Sequence, residues 1–102
     1  DSVTATSGSG PAYFFAFVEA MVEGSVALGL SHEDATLLTI QTIVGAAALL
    51  DQSGDSPTTL REKVTSPNGT TAAAIASFGD SGLKEIVAKA MSAAAKRSQE
   101  LA

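Results

Sequence analysis

Residues 31–52 read SHEDATLLTIQTIVGAAALLDQ, and this stretch decides the fold. Ser31 is a typical N-cap, and Glu33 and Asp34 place negative charge in the first turn, where the helix dipole favours it. From Ala35 to Leu50 no residue is charged, and leucine, isoleucine and valine fall on most sides of the predicted helix. A helix that is apolar nearly all round should be buried, and a small domain has few ways to bury it alone. The sequence therefore predicts a helix over about 32–52 that two copies of the chain bury together.

Four further helices are predicted on either side of this segment. Apolar residues recur at three- and four-residue spacing over 12–28, with Pro11 suited to a first turn and Gly29 to a C-terminal stop. Ser56 is placed to cap a short helix that ends near residue 64, another helix is expected over about 70–78, and the last begins at residue 83. No strand pattern and no internal repeat is found. We expect an all-α fold of about five helices.

The first ten residues differ from the rest in composition, because serine, threonine and glycine predominate there. We expect residues 1–10 to form a loop at the end of a linker from an upstream domain. Residues 11–102 are then the helical domain. A chain of 102 residues corresponds to one domain on length alone.

Charge and composition argue against several classes of protein. The net charge is −5, and the six lysine and arginine residues are scattered over the second half of the chain, so no basic patch for nucleic acid is expected. There is no cysteine, which agrees with a reducing compartment. The uncharged run 35–50 is shorter than a membrane span and contains threonines, and no basic-then-apolar leader opens the chain. We expect a soluble, cytoplasmic protein without nucleic-acid or membrane partners.

Residues that usually carry chemistry are few. With no cysteine and one histidine, a zinc site is not expected, and His32 is interpreted as an exposed residue at a helix start. The segment Ser7-Gly8-Ser9-Gly10 is not a dinucleotide-binding glycine pattern, because it has the wrong spacing and no strand precedes it. A bound dinucleotide would therefore be held mainly by another domain.

One loop stands out, Val64-Thr65-Ser66-Pro67-Asn68-Gly69-Thr70-Thr71, which leads directly into a helix. It can be interpreted as a plain turn, in which Asn68 and Gly69 tolerate left-handed geometry and a threonine caps the helix. It can also be interpreted as an anion site, because free N–H groups at a helix N-terminus bind a carboxylate and the dipole assists. The pattern alone leaves both interpretations open.

Two blocks of sequence resemble one enzyme family. Residues 60–71, LREKVTSPNGTT, are similar to the signature of pyrroline-5-carboxylate reductases, and residues 7–13, SGSGPAY, are similar to the start of their C-terminal domain. The order and separation of the two blocks also agree. The resemblance runs from about Thr6 to Leu101, nearly the whole chain.

The resemblance implies a specific function. These enzymes reduce 1-pyrroline-5-carboxylate to L-proline with NADPH or NADH, which an N-terminal Rossmann domain binds, and their helical C-terminal domains interleave as a homodimer that can assemble further. The implied substrate-binding residues are Ser66, Asn68, Gly69, Thr70 and Thr71. The hydroxyl of Thr71 is the implied catalytic group beside the ring nitrogen. We also expect Ser9, Gly10 and Pro11 near the nicotinamide, and no reductase activity from this chain alone.

Two positions depart from the family pattern. Asn68 stands where the family usually has glycine, although asparagine tolerates left-handed geometry better than most residues. The segment Gly54-Asp55-Ser56-Pro57 lacks the histidine that many relatives carry before this proline. Contacts made by that segment are therefore open.

Two alternative functions remain at this point. The chain could be the C-terminal domain of another NAD(P)-dependent dehydrogenase, for which Lys63 is the nearest acid or base. It could also be a non-catalytic helical oligomerisation module, which would explain the long apolar helix but not the two blocks of similarity.

Overall fold

The computed structural model describes all residues from Asp1 to Ala102, and every regular element in it is helical. A short π-helix comes first (Thr4–Gly8), and five α-helices follow: α1 (Gly10–Ala27), α2 (His32–Gln52), α3 (Pro57–Lys63), α4 (Thr70–Asp80) and α5 (Leu83–Leu101). The prediction of an all-α fold with five helices is confirmed. The chain forms two compact units, a terminal unit of Asp1–Pro11 with Glu62–Ala102 and a central unit of Ala12–Arg61.

Capping residues set the ends of α1 and α2 where the sequence predicts them. The N–H of Asp34 donates to Ser31 Oγ at 3.1 Å, so Ser31 is the N-cap of α2. Gly29 has a φ of 113° and ends α1. The N–H of Leu30 bonds the carbonyl of Ser25 at 3.1 Å and the N–H of Gly29 bonds that of Val26 at 3.0 Å, which is the Schellman pattern. Four residues, 28–31, therefore connect α1 to α2.

The first ten residues are the main correction to the sequence-based expectation. Instead of a loop they form helical turns, in which the N–H of Thr4 is capped by the carboxylate of Asp1 at 2.9 Å. The hydroxyl of Thr6 donates to the carbonyl of Ser2 at 2.7 Å, so a polar side chain is satisfied by the turn itself. The π-helix packs on α5, and Ala5 is buried. This tertiary contact outweighs a composition that favours a loop.

Few side chains are buried in either unit. The buried residues with side chains are Ala5 in the terminal unit and Val22, Ala35 and Thr39 in the central unit, and no large side chain is fully enclosed. Both α1 and α2 expose much of their apolar surface. The exposed large apolar residues of α2 are Leu37, Leu38, Ile40, Val44, Leu49 and Leu50. Neither unit has a core of ordinary size for its length.

Helix α2 is also long and apolar enough, by length and composition, to cross a membrane, with 11% of the relevant window buried. A single helix of this kind is weak evidence for a membrane span, because helices of soluble proteins meet the same criterion. Two of its three threonine hydroxyls bond within the helix: Thr36 donates to the carbonyl of His32 at 2.8 Å, and Thr42 to that of Leu38 at 2.7 Å. These two hydroxyls therefore need no hydrogen-bond partner outside α2.

Candidate functional site

The segment that precedes α4 is a tight turn built on Ser66-Pro67-Asn68-Gly69. The N–H of Gly69 donates to the carbonyl of Ser66 at 3.0 Å, and Asn68 has a φ of 60°. A proline at the second position and a left-handed residue at the third are the signature of a type II turn. The turn therefore has the shape that the family's glycine at this position would favour, with asparagine in its place.

Glycine is favoured at position 69 by the space around it and not by its backbone conformation. Its φ is −85° and its ψ is −179°, an extended conformation that any residue adopts, so the left-handed residue of this turn is Asn68 and not Gly69. A Cβ placed on it would lie 3.2 Å from the carbonyl oxygen of Ser66. Glycine at this position lets the chain close the turn and begin α4 at the next residue, Thr70.

Gly69 is also the N-cap of α4, and no side chain caps this helix. The interpretation in which a threonine caps the helix is therefore wrong. Thr70 and Thr71 are the first two residues of α4, where Thr70 is exposed and Thr71 is half-buried. Their hydroxyls are not used to satisfy the end of the helix, which leaves them for another role.

Three backbone N–H groups remain at this helix end. The first four N–H groups of a helix lack partners within it, counted from the N-cap. Gly69 satisfies its own through Ser66, and the first bond inside the helix runs from Ala73 to Gly69 at 3.1 Å. The N–H groups of Thr70, Thr71 and Ala72 are left. Ala72 was not among the residues expected from sequence, although counting from the N-cap would have found it.

These groups form a compact anion-binding arrangement. The N-terminus of α4 carries the positive end of the helix dipole, and the three N–H groups lie in its first turn. Ser66 is the first residue of the turn and is exposed. The structure thus brings Ser66, Asn68, Gly69, Thr70 and Thr71 together in one turn and the first turn of one helix.

Ser9, Gly10 and Pro11 lie at the start of α1, after the π-helix. The N–H of Ser9 bonds the carbonyl of Thr4 at 2.8 Å, Gly10 is buried, and proline has no N–H. Phosphate binding by a backbone loop needs several free N–H groups. This segment does not supply them, so these three residues do not fit a pyrophosphate.

The segment before α3 departs from the family pattern and has a local role. The N–H of Thr59 donates to Ser56 Oγ at 3.1 Å, and the Ser56 hydroxyl donates to Thr59 Oγ1 at 3.0 Å. Ser56 therefore caps α3, as the sequence predicts. Lys63 is the last residue of α3 and is exposed.

A groove in the central unit is lined by none of the expected site residues. It has a volume of about 470 Å³ and lies between α1 and α2. Its lining is mostly apolar, with the side chains Val18, Glu19, Val22, Glu23, Val26, His32 and Thr36. His32 is exposed at the start of α2, as expected.

Comparison with known proteins decides among the functions left open by the sequence. The model of the pyrroline-5-carboxylate reductase dimerisation family matches residues 1–101. The chain belongs to this family. This match favours the reductase dimerisation family over the domain of another dehydrogenase and over an unrelated oligomerisation module.

Relatives and solved structures support the assignment along the full length of the domain. The chain is 54% identical to the pyrroline-5-carboxylate reductase of Pseudomonas aeruginosa over 102 residues, all of this chain and 37% of that protein. It is 46% identical to the enzyme of Arabidopsis thaliana over 99% of this chain and 37% of that protein. The chain thus spans little more than a third of these relatives.

Two solved reductases share the fold of the domain. The structure from Coxiella burnetii aligns with a TM-score of 0.96 and 46% identity, over 99% of this chain and 37% of that one. The Plasmodium falciparum structure, which has NADP bound, aligns with a TM-score of 0.94 and 35% identity, over 98% of this chain and 40% of that one.

Proposed function

We propose that this chain forms the dimerisation and substrate-binding part of an enzyme that reduces 1-pyrroline-5-carboxylate to L-proline. The observation that carries the proposal is the turn Ser66–Gly69 with the unpaired N–H groups of Thr70, Thr71 and Ala72, in a member of the reductase family. The substrate is a small ring with one carboxylate, and this arrangement suits one carboxylate. An upstream Rossmann domain, joined to residue 1, would complete the protein.

The chemistry divides between this chain and the nucleotide. NADPH or NADH supplies the hydride when it is bound, mainly by the upstream domain. The N–H groups at the start of α4 hold the substrate carboxylate, which fixes the ring. The hydroxyl of Thr71, in the second residue of α4, then hydrogen-bonds the ring nitrogen as it changes from imine to amine. Orientation of the ring against the nicotinamide accounts for much of the rate.

The exposed surface supports a homodimer. The chain exposes 7755 Å², whereas a monomeric protein of 10.2 kDa exposes about 5,300 Å² on average. If a second copy covers the difference, the two chains together bury about 4,900 Å², which is the size of an obligate interface. The apolar side chains of α1 and α2 are the surface that such an interface would cover. Dimers could assemble further, and the domain would act in the cytoplasm.

A comparison of the full-length protein with the isolated chain tests the proposal. The full-length protein should oxidise NADPH or NADH in the presence of 1-pyrroline-5-carboxylate and form proline. Residues 1–102 alone should show neither turnover nor heat of binding in a calorimetric titration with NADPH, because the chain has no phosphate-binding loop. Absence of proline formation by the full-length protein would overturn the proposed reductase activity. Micromolar NADPH binding by the isolated chain would overturn the proposal that the upstream domain binds the nucleotide.

A further inference from the structure

Asn68 is the only asparagine among the 102 residues, and a glycine follows it. The residue is exposed, and no hydrogen bond or ion pair holds its side chain. Asparagine is a thermolabile residue. Its amide is lost most readily before glycine, because glycine has no side chain to hinder attack by its own backbone nitrogen. The turn before α4 therefore carries a reactive amide whose chemistry the proposed function does not use.

The nitrogen that would attack this amide is the backbone nitrogen of Gly69. In the closed turn its N–H donates to the Ser66 carbonyl at 3.0 Å, so the reaction begins when this bond opens. No side chain caps α4, so no capping bond has to break at the same time. The rate of the reaction is therefore set by how often the Ser66–Gly69 bond opens.

The start of α4 favours every anion on the reaction path. The attacking nitrogen is deprotonated, the tetrahedral intermediate carries an oxyanion, and the product is a carboxylate. All three form beside the positive end of the α4 dipole. The N–H groups of Thr70, Thr71 and Ala72 have no partner within the helix and point towards this end. The position of Asn68 in the fold thus assists the loss of its amide.

We propose that Asn68 is a site of spontaneous deamidation, and that the carboxylate it leaves lowers the affinity of the adjacent site for substrate. A bond forms between the Gly69 nitrogen and Asn68 Cγ, the Cγ–Nδ2 bond breaks, and ammonia leaves with the former Gly69 proton. Water then opens the cyclic imide. Hydrolysis at Cγ gives aspartate, and hydrolysis at the main-chain carbonyl gives isoaspartate. No atom is oxidised or reduced.

The loss of affinity follows from the place of the new carboxylate, and this step rests on the proposed function. Aspartate side chains hydrogen-bond the backbone N–H two residues further on, which here belongs to Thr70. Thr70 supplies one of the N–H groups proposed to hold the substrate carboxylate, so the new carboxylate competes for it and repels the substrate. Isoaspartate also lengthens the main chain inside the turn, which moves Gly69 away from Ser66.

Mass spectrometry tests the modification without any measurement of activity. Full-length protein is incubated in warm, mildly alkaline buffer and digested with trypsin, which cuts after Lys63 and Lys84. The peptide 64–84 contains Asn68 and no other side-chain amide. It should convert to two acid forms, aspartyl and isoaspartyl, and should convert faster in denatured protein, where Ser66 no longer holds the Gly69 N–H. The glutamines of the chain are internal controls that should keep their amides: Gln41, Gln52 and Gln99.

Steady-state kinetics test the effect on substrate. As the peptide converts, the KM for 1-pyrroline-5-carboxylate should rise about tenfold, which lies within the range for like charges a few ångströms apart near a protein surface. The KM for NADPH should stay constant. Asn68→Asp should show the raised KM before any incubation. Asn68→Gly is the matched control, because it has no amide to lose and its own starting KM should not change during the incubation.

The outcomes separate this inference from the proposed function. If peptide 64–84 keeps its amide in the folded protein and loses it in the denatured protein, the folded turn prevents the reaction and the deamidation site is overturned. If the peptide converts and the substrate KM is unchanged, the effect on affinity is overturned. A full-length protein that forms no proline would overturn the proposed function, whereas conversion of the peptide in that protein would still support the deamidation site.

Discussion

The carbonyl oxygen of Ser66 accepts a hydrogen bond from the Gly69 N–H at 3.0 Å and would lie 3.2 Å from a Cβ on the same residue. The two distances belong together, because the bond that closes the turn brings the carbonyl against the position of the missing side chain. A contact of 3.2 Å is tighter than nine in ten real Cβ contacts. With any other residue at its last position, the turn would have to shift the Ser66 carbonyl by a few tenths of an ångström.

Gly69→Ala should therefore open the turn and displace the N–H groups of Thr70 and Thr71. We expect the KM for 1-pyrroline-5-carboxylate to rise about tenfold, which corresponds to about 1.4 kcal/mol of lost binding. Steady-state kinetics of the full-length protein measure this. Because NADPH is held mainly elsewhere, its KM serves as the internal control and should stay constant. An unchanged KM for the substrate would mean that the turn does not hold the carboxylate.

Asn68 gives a prediction about stability. Its φ of 60° lies in the left-handed region, which costs most side chains about 1–2 kcal/mol and costs glycine and asparagine little. Asn68→Ala should lower the free energy of unfolding by about 1 kcal/mol, whereas Asn68→Gly, which restores the residue usual in the family, should leave it nearly unchanged. Urea denaturation of both variants measures the difference. Equal stability of the alanine variant and the wild type would contradict a left-handed residue at this position.

Thr71 gives the sharpest prediction about catalysis. Thr71→Ala removes the hydroxyl that we place beside the ring nitrogen, and loss of a hydrogen bond to a charged group costs about 1.5–3 kcal/mol. Turnover should fall about ten- to a hundredfold. Because Gly69 and not a threonine caps α4, the melting temperature should change little. Thr71→Ser keeps the hydroxyl and should keep most of the activity.

Two outcomes with these variants would contradict a catalytic role for the Thr71 hydroxyl. If Thr71→Ala lowers the melting temperature and leaves turnover intact, the side chain supports the helix and not the reaction. If Thr71→Ser is as inactive as Thr71→Ala, the methyl group and not the hydroxyl matters.

The homodimer predicts a dependence on concentration. Since most apolar residues of α2 are exposed in the single chain, separation of two copies should be coupled to unfolding. Sedimentation velocity should show a dimer or a multiple of it at micromolar concentration, and the melting temperature should rise with protein concentration. A folded monomer at this concentration, or a melting temperature independent of it, would contradict the prediction.

Local signals made the helices predictable. Ser31 and Ser56 are N-cap residues, and Gly29 ends α1 in a left-handed conformation. These residue types are typical of helix ends, so the start of α2, the start of α3 and the end of α1 could be predicted from the sequence. The family signature likewise identified the turn at Ser66–Gly69 as a candidate site. These features depend on residues close together in the chain.

Three features were missed: the helical turns of residues 1–10, the cap of α4 and the N–H group of Ala72. Residues 1–10 were predicted to form a loop because serine and threonine side chains compete with the helix for backbone hydrogen bonds. In the structure, the Thr6 hydroxyl donates to the Ser2 carbonyl and the π-helix that contains Ala5 packs against α5. The cap of α4 was assigned to a threonine, although the bond from Gly69 to Ser66 already closes the turn. The third N–H donor, on Ala72, has no side-chain signal at all.

The small buried set described above has a consequence during synthesis. A newly made copy encloses only Ala5, Val22, Ala35 and Thr39, while Phe14 and Phe15 remain 61% and 69% exposed. Exposed apolar side chains of this kind favour aggregation with other newly made proteins. Binding of the chain by a chaperone then competes with dimer formation. The expression level therefore affects more than the amount of protein. At low levels each copy remains longer as a single chain, and the fraction lost to proteolysis should be highest when the protein is scarcest.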